Sequence, residues 1–204
     1  MNNLSRSLGL SALSLALLLG FVSTVSAQSL TDLLGQLTSS AKASGDATLK
    51  SLSGDLTSKA TSLYDSLKAN PAAQNQLVSG VQSLVSGNGV STLDSFSKLT
   101  AAKLTPDQTK LAKEVGNLGS AYLVQKNFSA VEGAQGDVAT IVKSLRKGEV
   151  TPAVPALGRV AQNAKLTQPQ KDLLGAVADK YAPGAKKLGN ALEGGLKSIP
   201  GFGK

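Results

Sequence analysis

The chain has 204 residues, a formal net charge of +8, 3% aromatic residues and neither His nor Cys. It therefore lacks the usual general base, the thiolate nucleophile and the common zinc and copper ligands. Because it can form no disulfide, packing of Leu, Val and Ala must stabilise the fold.

The first 27 residues have the three parts of a secretory signal peptide. A short polar start containing Arg6 is followed by an apolar run over residues 8–22, and small residues precede a predicted cut after Ala27. The apolar run is shorter than the roughly 20 residues that a membrane-spanning helix needs. We therefore expect a cleaved leader and a mature protein that is periplasmic or secreted.

Residues 28–69 carry two helical patterns and predict an amphipathic N-terminal arm. A short stripe of leucines lies between residues 30 and 37, and a Ser-Gly-Asp break follows at residues 44–46. The second pattern has apolar residues in steps of three and four, which place them on one face of a helix. They are Leu49, Leu52, Leu56, Ala60, Leu63 and Leu67. Asn70 and Pro71 then suit the start of the next helix.

Residues 70–126 and 127–185 are predicted to be two copies of one helical unit. The chain matches itself at an offset of 61 residues, so that Ala73 pairs with Ala134 and Val81 with Val142. One inserted residue makes the offset 62, at which the run Ala-Lys-Leu-Thr recurs at residues 102–105 and 164–167. Matches that keep their order across a whole unit indicate a tandem duplication.

Each copy is predicted to contain three short helices. They span residues 71–86, 91–103 and 105–124 in the first copy, and 134–147, 152–163 and 168–182 in the second. The Gly-Asn-Gly run at residues 87–89 and Gly148 suit left-handed helix ends. Thr105 and Thr167 are placed as N-caps, and Gln108 stands where it completes a capping box.

These patterns predict an all-α fold, in which a tandem duplication of a three-short-helix unit packs as a helical bundle after the amphipathic arm. Short connections bring neighbouring helices together, and the two copies are expected to bury their apolar faces against each other. Beyond the second copy the pattern weakens. Residues 186–204 predict the rest of a short helix and a flexible tail rich in Gly and Pro.

The search for chemistry predicts no catalytic, cofactor-binding or metal-binding residue, and we expect that the chain is not an enzyme. Asp172 and Asp179 lie two turns apart on one predicted helix, where a solvated face is the favoured interpretation. The sequence has no nucleophile elbow of the G-x-S-x-G type and no P-loop. The Gly-Asn-Leu-Gly run at residues 116–119 lacks the rest of a nucleotide-binding fingerprint.

The net positive charge makes nucleic acid a possible binding partner to consider. Only two arginines lie beyond the leader and aromatic residues are few, which disfavours base readout and stacking. Cations stabilise the C-terminal ends of helices, so the densest basic clusters are interpreted as solvated helix ends. These clusters are Lys143, Arg146 and Lys147, and the pair at residues 186 and 187.

A membrane surface is an alternative partner, because lysine-rich amphipathic helices bind anionic lipids. The best candidate is the helix predicted over residues 49–67. Its polar face mixes Asp55 and Asp65 with Lys50, Lys59 and Lys68. Such a mixed face is more typical of a helix that packs on protein.

Two copies of the motif LTxxQ occur, at residues 104–108 and 166–170. With these two motifs and its predicted export and helical fold, the chain resembles the periplasmic Spy/CpxP-type family. This family of small helical proteins includes an envelope stress chaperone. The resemblance implies that unfolded clients bind to an amphipathic surface without ATP. That family is rich in Met, whereas this chain has one Met. Thr105, Gln108, Thr167 and Gln170 are expected to be helix caps in either case.

The leading hypothesis is a non-enzymatic exported helical protein that acts in the envelope or outside the cell as a structural or protein-interaction module. A protein partner or self-association is expected, and no cofactor. One alternative is an ATP-independent periplasmic chaperone of the holdase type. The other is a peripheral membrane-surface binder.

Overall fold

A computed structural model describes residues 29–149 and 151–181 of the chain. Every regular element within these ranges is an α-helix, which confirms the predicted all-α class. The eight helices of the described residues are α1 (Leu30–Ala43), α2 (Ala47–Ser66), α3 (Pro71–Val85), α4 (Gly89–Ala101), α5 (Pro106–Phe128), α6 (Gln135–Lys147), α7 (Ala153–Ala161) and α8 (Gln168–Tyr181). The predicted leader, residues 1–27, and the predicted tail, residues 186–204, lie outside the described residues.

Local chemistry explains where the helices begin. Side chains of Ser29, Asp46, Asn70 and Asn88 each accept a hydrogen bond from a backbone N–H in the first turn of α1, α2, α3 and α4, respectively. These bonds satisfy donors that have no partner within the helix. Pro71 is the first residue of α3, where its missing N–H costs no hydrogen bond.

The glycines after α3 and α6 divide into two kinds. Gly87 and Gly148 have φ values of +78° and +73°, in the left-handed region, as predicted. Gly89 instead begins α4. A Cβ atom there would lie 2.6 Å from Leu173 Cδ1, so its small size permits the close approach of α8. The left-handed end predicted for the run at residues 87–89 is thus formed by Gly87, and the packing role of Gly89 was not predicted, because it depends on a residue distant in the chain.

Helix α5 is the central element of the fold. It contacts α2, α4, α6 and α8, and residues 118–124 are buried on every side of the helix. It ends at Phe128 rather than at residue 124, because the Phe128 side chain is fully buried and keeps the last turn in the core. Such all-round burial weakens the one-sided periodicity from which helix bounds are predicted.

The segment predicted as an arm is part of the core. Its helix α2 packs along α5, and α1 packs on α2 and α3. Leu52, Leu56 and Leu63 of α2 are fully buried, within a single hydrophobic cluster that also contains residues of α3 to α8. The helices of the two predicted copies share this cluster through contacts of α5 with α6 and of α4 and α5 with α8. The duplication itself stays a prediction from the sequence.

Phe96 of α4 lies at the centre of the first copy. A Cβ atom at Gly80 of α3 would be 2.4 Å from Phe96 Cε1, and one at Gly119 of α5 would be 2.4 Å from Phe96 Cε2. The aromatic ring therefore fits between two helices only because both present a glycine. Gly119 belongs to the Gly-Asn-Leu-Gly run at residues 116–119, so this run serves packing.

Candidate interaction groove

A groove of about 750 Å³ runs along one side of α6, which faces the start of α2 and the end of α5. We call it the α6 groove. Val138, Ala139 and Val142 form its apolar floor. Its basic rim is Lys143, Arg146 and Lys147, and its polar wall is Thr48, Gln125, Ser129 and Gln135. The groove therefore joins residues that lie far apart in the sequence.

The periodicity of α6 explains this arrangement. Val138, Ile141 and Leu145 turn into the core, whereas Ala139, Lys143 and Lys147 are exposed. Since these three exposed residues are spaced by four, they follow one another along one edge of the helix. The groove is lined by α6 from Gln135 to Lys147, twelve steps of about 1.5 Å each, so it is about 18 Å long.

A hydrogen bond between α2 and α5 fixes the opposite wall. Gln125 Nε2 donates to Asp46 Oδ2 at 2.7 Å. Asp46 Oδ1 accepts from the backbone N–H groups of Thr48 and Leu49 at 2.7 and 3.0 Å. Burial acts to raise the pKa of Asp46, but the bonds from Gln125, Leu49 and Thr48 together leave the pKa below its ordinary value. The wall is thus held in place by an ionised cap.

The rim carries an excess of positive charge. Arg146 Nη2 lies 2.5 Å from Asp55 Oδ2 of α2. Within the described part of the chain, neither Lys143 nor Lys147 has a carboxylate within 4.0 Å. Both lysines are exposed, so their charges are available to a molecule in the groove.

A second recess of about 320 Å³ lies on the other side of the rim, and Arg146 and Lys147 line both cavities. It also contains the ion pair between Lys59 Nζ and Glu114 Oε2, which are 2.7 Å apart. Because acidic and basic groups alternate here, the second recess has no single sign of charge. The α6 groove is the better candidate for recognition of a charged partner.

Sequence analysis placed Arg146 and Lys147 at a solvated helix end, and both are exposed in the last turn of α6. It missed the groove beside them, because the polar wall comes from α2 and α5. The one feature of the α6 sequence that indicates a groove is Ala139, a small apolar residue that lies one turn before Lys143 on the exposed edge of the helix.

The other chemical candidates lie apart from the groove. Asp172 is exposed and accepts a hydrogen bond from Gln168 at 2.8 Å, and Asp179 is also exposed. No group of three or more acidic residues in the described ranges is placed to hold a metal ion. Gly116 and Gly119 lie inside α5 and approach Lys180 and Phe96 closely, so both glycines of the Gly-Asn-Leu-Gly run take part in helix packing.

The LTxxQ residues serve as caps and also join helices. Thr105 Oγ1 accepts from the Gln108 N–H at 3.3 Å, and Gln108 Oε1 accepts from the Thr105 N–H at 3.0 Å, which is a complete capping box. In the second motif, Gln170 Oε1 accepts from the backbone N–H of Thr167 at 2.9 Å and from its hydroxyl at 3.1 Å. The Thr167 hydroxyl therefore bonds to a side chain, where the sequence predicted a bond to the backbone.

The face proposed for membrane contact is unavailable in this fold. The six apolar residues of the second helical pattern, from Leu49 to Leu67, are all buried. No helix in the described ranges is both long and apolar enough to cross a membrane.

The end of α8 contains two titratable groups in unusual surroundings. Tyr181 donates from its hydroxyl to α5, with Ser120 Oγ 2.9 Å away, and burial raises the pKa of Tyr181 to about 12 against the effect of this bond. Lys180 Nζ is buried without a hydrogen-bond partner among the described residues, and burial lowers the pKa of Lys180 to about 8. It lies 5.9 Å from the ring centre of Phe96. Because Lys180 lines neither recess, we assign it to packing.

Comparison with known proteins gives no relative: no family model, no curated protein and no solved structure matches the chain.

Proposed function

We propose that the chain is an exported, non-enzymatic module that acts by binding a protein partner at the α6 groove. The observation that carries this proposal is the groove itself, where an apolar floor lies beside a fixed polar wall and a basic rim, two lysines of which pair with no carboxylate of the described residues. Concave apolar surfaces with a few placed polar groups are the usual form of a binding site.

The distribution of apolar residues favours this module over a holdase. A holdase needs extended apolar surface on which unfolded clients can bind. Among the described residues, Val90 is the one large hydrophobic side chain classed as exposed, at 49%. The other large apolar side chains of residues 29–149 and 151–181 are fully or partly buried, so a limited groove is the more fitting contact surface.

A membrane-surface function has less support. It was based on the apolar face of α2, and that face packs on α5. Binding a bilayer through it would require α2 to leave the core, with loss of about 25 cal/mol for each Å² of apolar surface exposed.

Export is part of the proposal and rests on the leader pattern of residues 1–27. Intact-mass measurement of the protein recovered from outside the cytoplasm is expected to give a chain that starts at Gln28. A chain that stays in the cytoplasm with its first residues intact would contradict export.

The binding function is tested in the producing cells by site-specific photo-crosslinking. A benzophenone residue is placed, one variant at a time, at exposed positions over the described surface, with Ala139, Lys110 and Asp172 among them. If the chain is a binding module, neighbouring positions on one surface are expected to give the same discrete adduct. The mass of this adduct distinguishes a different protein from a second copy of the chain. Absence of adducts from every position would contradict the proposal, as would a catalytic turnover that Ser-to-Ala variants abolish.

A further inference from the structure

We infer that the α6 groove receives an acidic, amphipathic helix of a partner protein. This inference rests on the proposed function and specifies the chemistry of the partner. Three features of the groove support it: its length, its floor and the charge of its rim.

The length of the groove suits a helix. About 18 Å corresponds to roughly 12 residues of helix, or three turns, but to only five or six residues of extended chain. The groove is bordered by α6 on one side and by the start of α2 and the end of α5 on the other. A small ligand would leave most of this surface uncovered.

The floor supplies a narrow apolar contact. Ala139 is the exposed apolar residue of the floor, and Val138 and Val142, which are one turn apart, reach it with only 2% and 5% of their surface exposed. This spacing matches the apolar stripe of an amphipathic helix, which repeats every three or four residues. Because Ala139 is small, the side chains of a bound helix can approach the backbone of α6.

The rim determines the charge of the partner. Lys143, Arg146 and Lys147 lie at one end of the groove, and Asp55 is the one carboxylate of the described residues that pairs with them. The other end carries the neutral amides of Gln125 and Gln135. The charge is therefore asymmetric, and a complementary helix has its carboxylates near one end. Two exposed lysines and a paired arginine are too few for the phosphates of a nucleic-acid duplex.

The binding test uses a defined probe. It is a fluorescent helical peptide of about 14 residues with leucines on one face and glutamates in its first turn. The control peptides are the same sequence with lysines in place of the glutamates, and a scrambled sequence that has no apolar face. The purified exported chain is expected to bind the acidic peptide saturably and to bind both controls at least tenfold more weakly, a difference of about 1.4 kcal/mol.

Variants of the rim and floor identify the site. Lys143→Glu with Lys147→Glu reverses the free charges, and Ala139→Glu adds a carboxylate to the floor. Each is expected to reduce binding of the acidic peptide about tenfold or more. Lys110→Glu with Lys113→Glu makes the same charge change at exposed positions that line neither recess, and is expected to leave binding unchanged. Thermal unfolding checks that all variants are folded.

The outcomes separate this inference from the proposed function. Equal binding of the glutamate and lysine peptides, or equal effects of the two double variants, would overturn the acidic-helix inference. Crosslinks in cells that map to a surface away from residue 139 would overturn it too, while leaving a binding function in place. A groove adduct that contains a second copy of the chain would replace the partner helix by self-association.

Discussion

Gln108 Nε2 donates a 2.7 Å hydrogen bond to the backbone carbonyl of Ser66, in the last turn of α2. The second motif repeats this bond, since Gln170 Nε2 donates at 2.7 Å to the carbonyl of Asn127 near the end of α5. Each glutamine thus caps its own helix with one amide atom and satisfies the end of an earlier helix with the other. The two LTxxQ motifs therefore have a structural role in this fold, which does not depend on a relationship to the Spy/CpxP-type family.

Two variants of Gln108 separate the cap from the interhelix bond. Gln108→Ala removes both and is expected to lower the free energy of unfolding by about 1–2 kcal/mol. Gln108→Glu keeps an acceptor for the Thr105 N–H but loses the donor to Ser66, so its loss should be smaller, about 1 kcal/mol or less. Urea unfolding measures both. Equal losses would mean that the bond from the Thr105 N–H contributes nothing, a loss in Gln108→Ala alone would mean that the bond to Ser66 contributes nothing, and no loss in either variant would contradict both roles.

Glycine-to-alanine substitutions test the packing of Phe96. Gly119→Ala places a Cβ atom 2.4 Å from Phe96 Cε2 and is expected to destabilise the fold by about 1–3 kcal/mol. Gly54→Ala is the matched control, because Gly54 is an exposed position in α2 with no atom within 4 Å of the added Cβ. It should stabilise by about 0.5–1 kcal/mol through helix propensity. Changes of the same sign in both variants would contradict the packing described here.

Lys180 is expected to make the free energy of unfolding depend on pH in the alkaline range, above about pH 8. Burial lowers its pKa in the folded chain to about 8, from an ordinary value of 10.5. Below pH 8 both states carry the proton, and the folded state bears the cost of a buried ammonium group. As pH rises from about 8 to 10.5 the unfolded chain binds more protons than the folded one, so the contribution of Lys180 to stability increases.

Lys180→Met removes this term. The variant is expected to be more stable than the native chain at pH 7, by about 1–3 kcal/mol. The difference should shrink as pH rises above 8. Denaturant unfolding of both proteins at several pH values measures it, and effects of Tyr181 common to both proteins cancel in the difference. A stability difference that does not change with pH would contradict the burial of the Lys180 amine.

Asp46 produces a dependence of the same sign on the acid side, since its contribution to stability also increases as pH rises. Its folded pKa lies below the ordinary 3.8, so its stabilising effect is present above that pH and is lost as pH falls through the folded value. Asp46→Ala should cost about 1–2 kcal/mol at neutral pH through loss of the α2 cap. The cost should be much smaller near pH 2. A cost independent of pH would show that the carboxylate is not what stabilises the cap.

Local rules predicted much of the fold from the sequence. Thr105 and Gly148 lie where capping and left-handed geometry require them, and both depend on neighbours within a few residues. The role of Gly89 and the last turn of α5 at Phe128 were not predicted, because each is determined by packing against distant helices. The groove was missed for the same reason, since Gln125 and Thr48 reach it from other helices.

The measurement that tests the central claim most directly is photo-crosslinking in the producing cells from position 139, in the floor of the α6 groove. The account predicts one discrete adduct with another protein through an acidic helical segment. The adduct should be lost when Lys143 and Lys147 are changed to Glu and kept when Lys110 and Lys113 are changed in the same way. No adduct at position 139, or an adduct insensitive to the rim lysines, would contradict recognition at this groove.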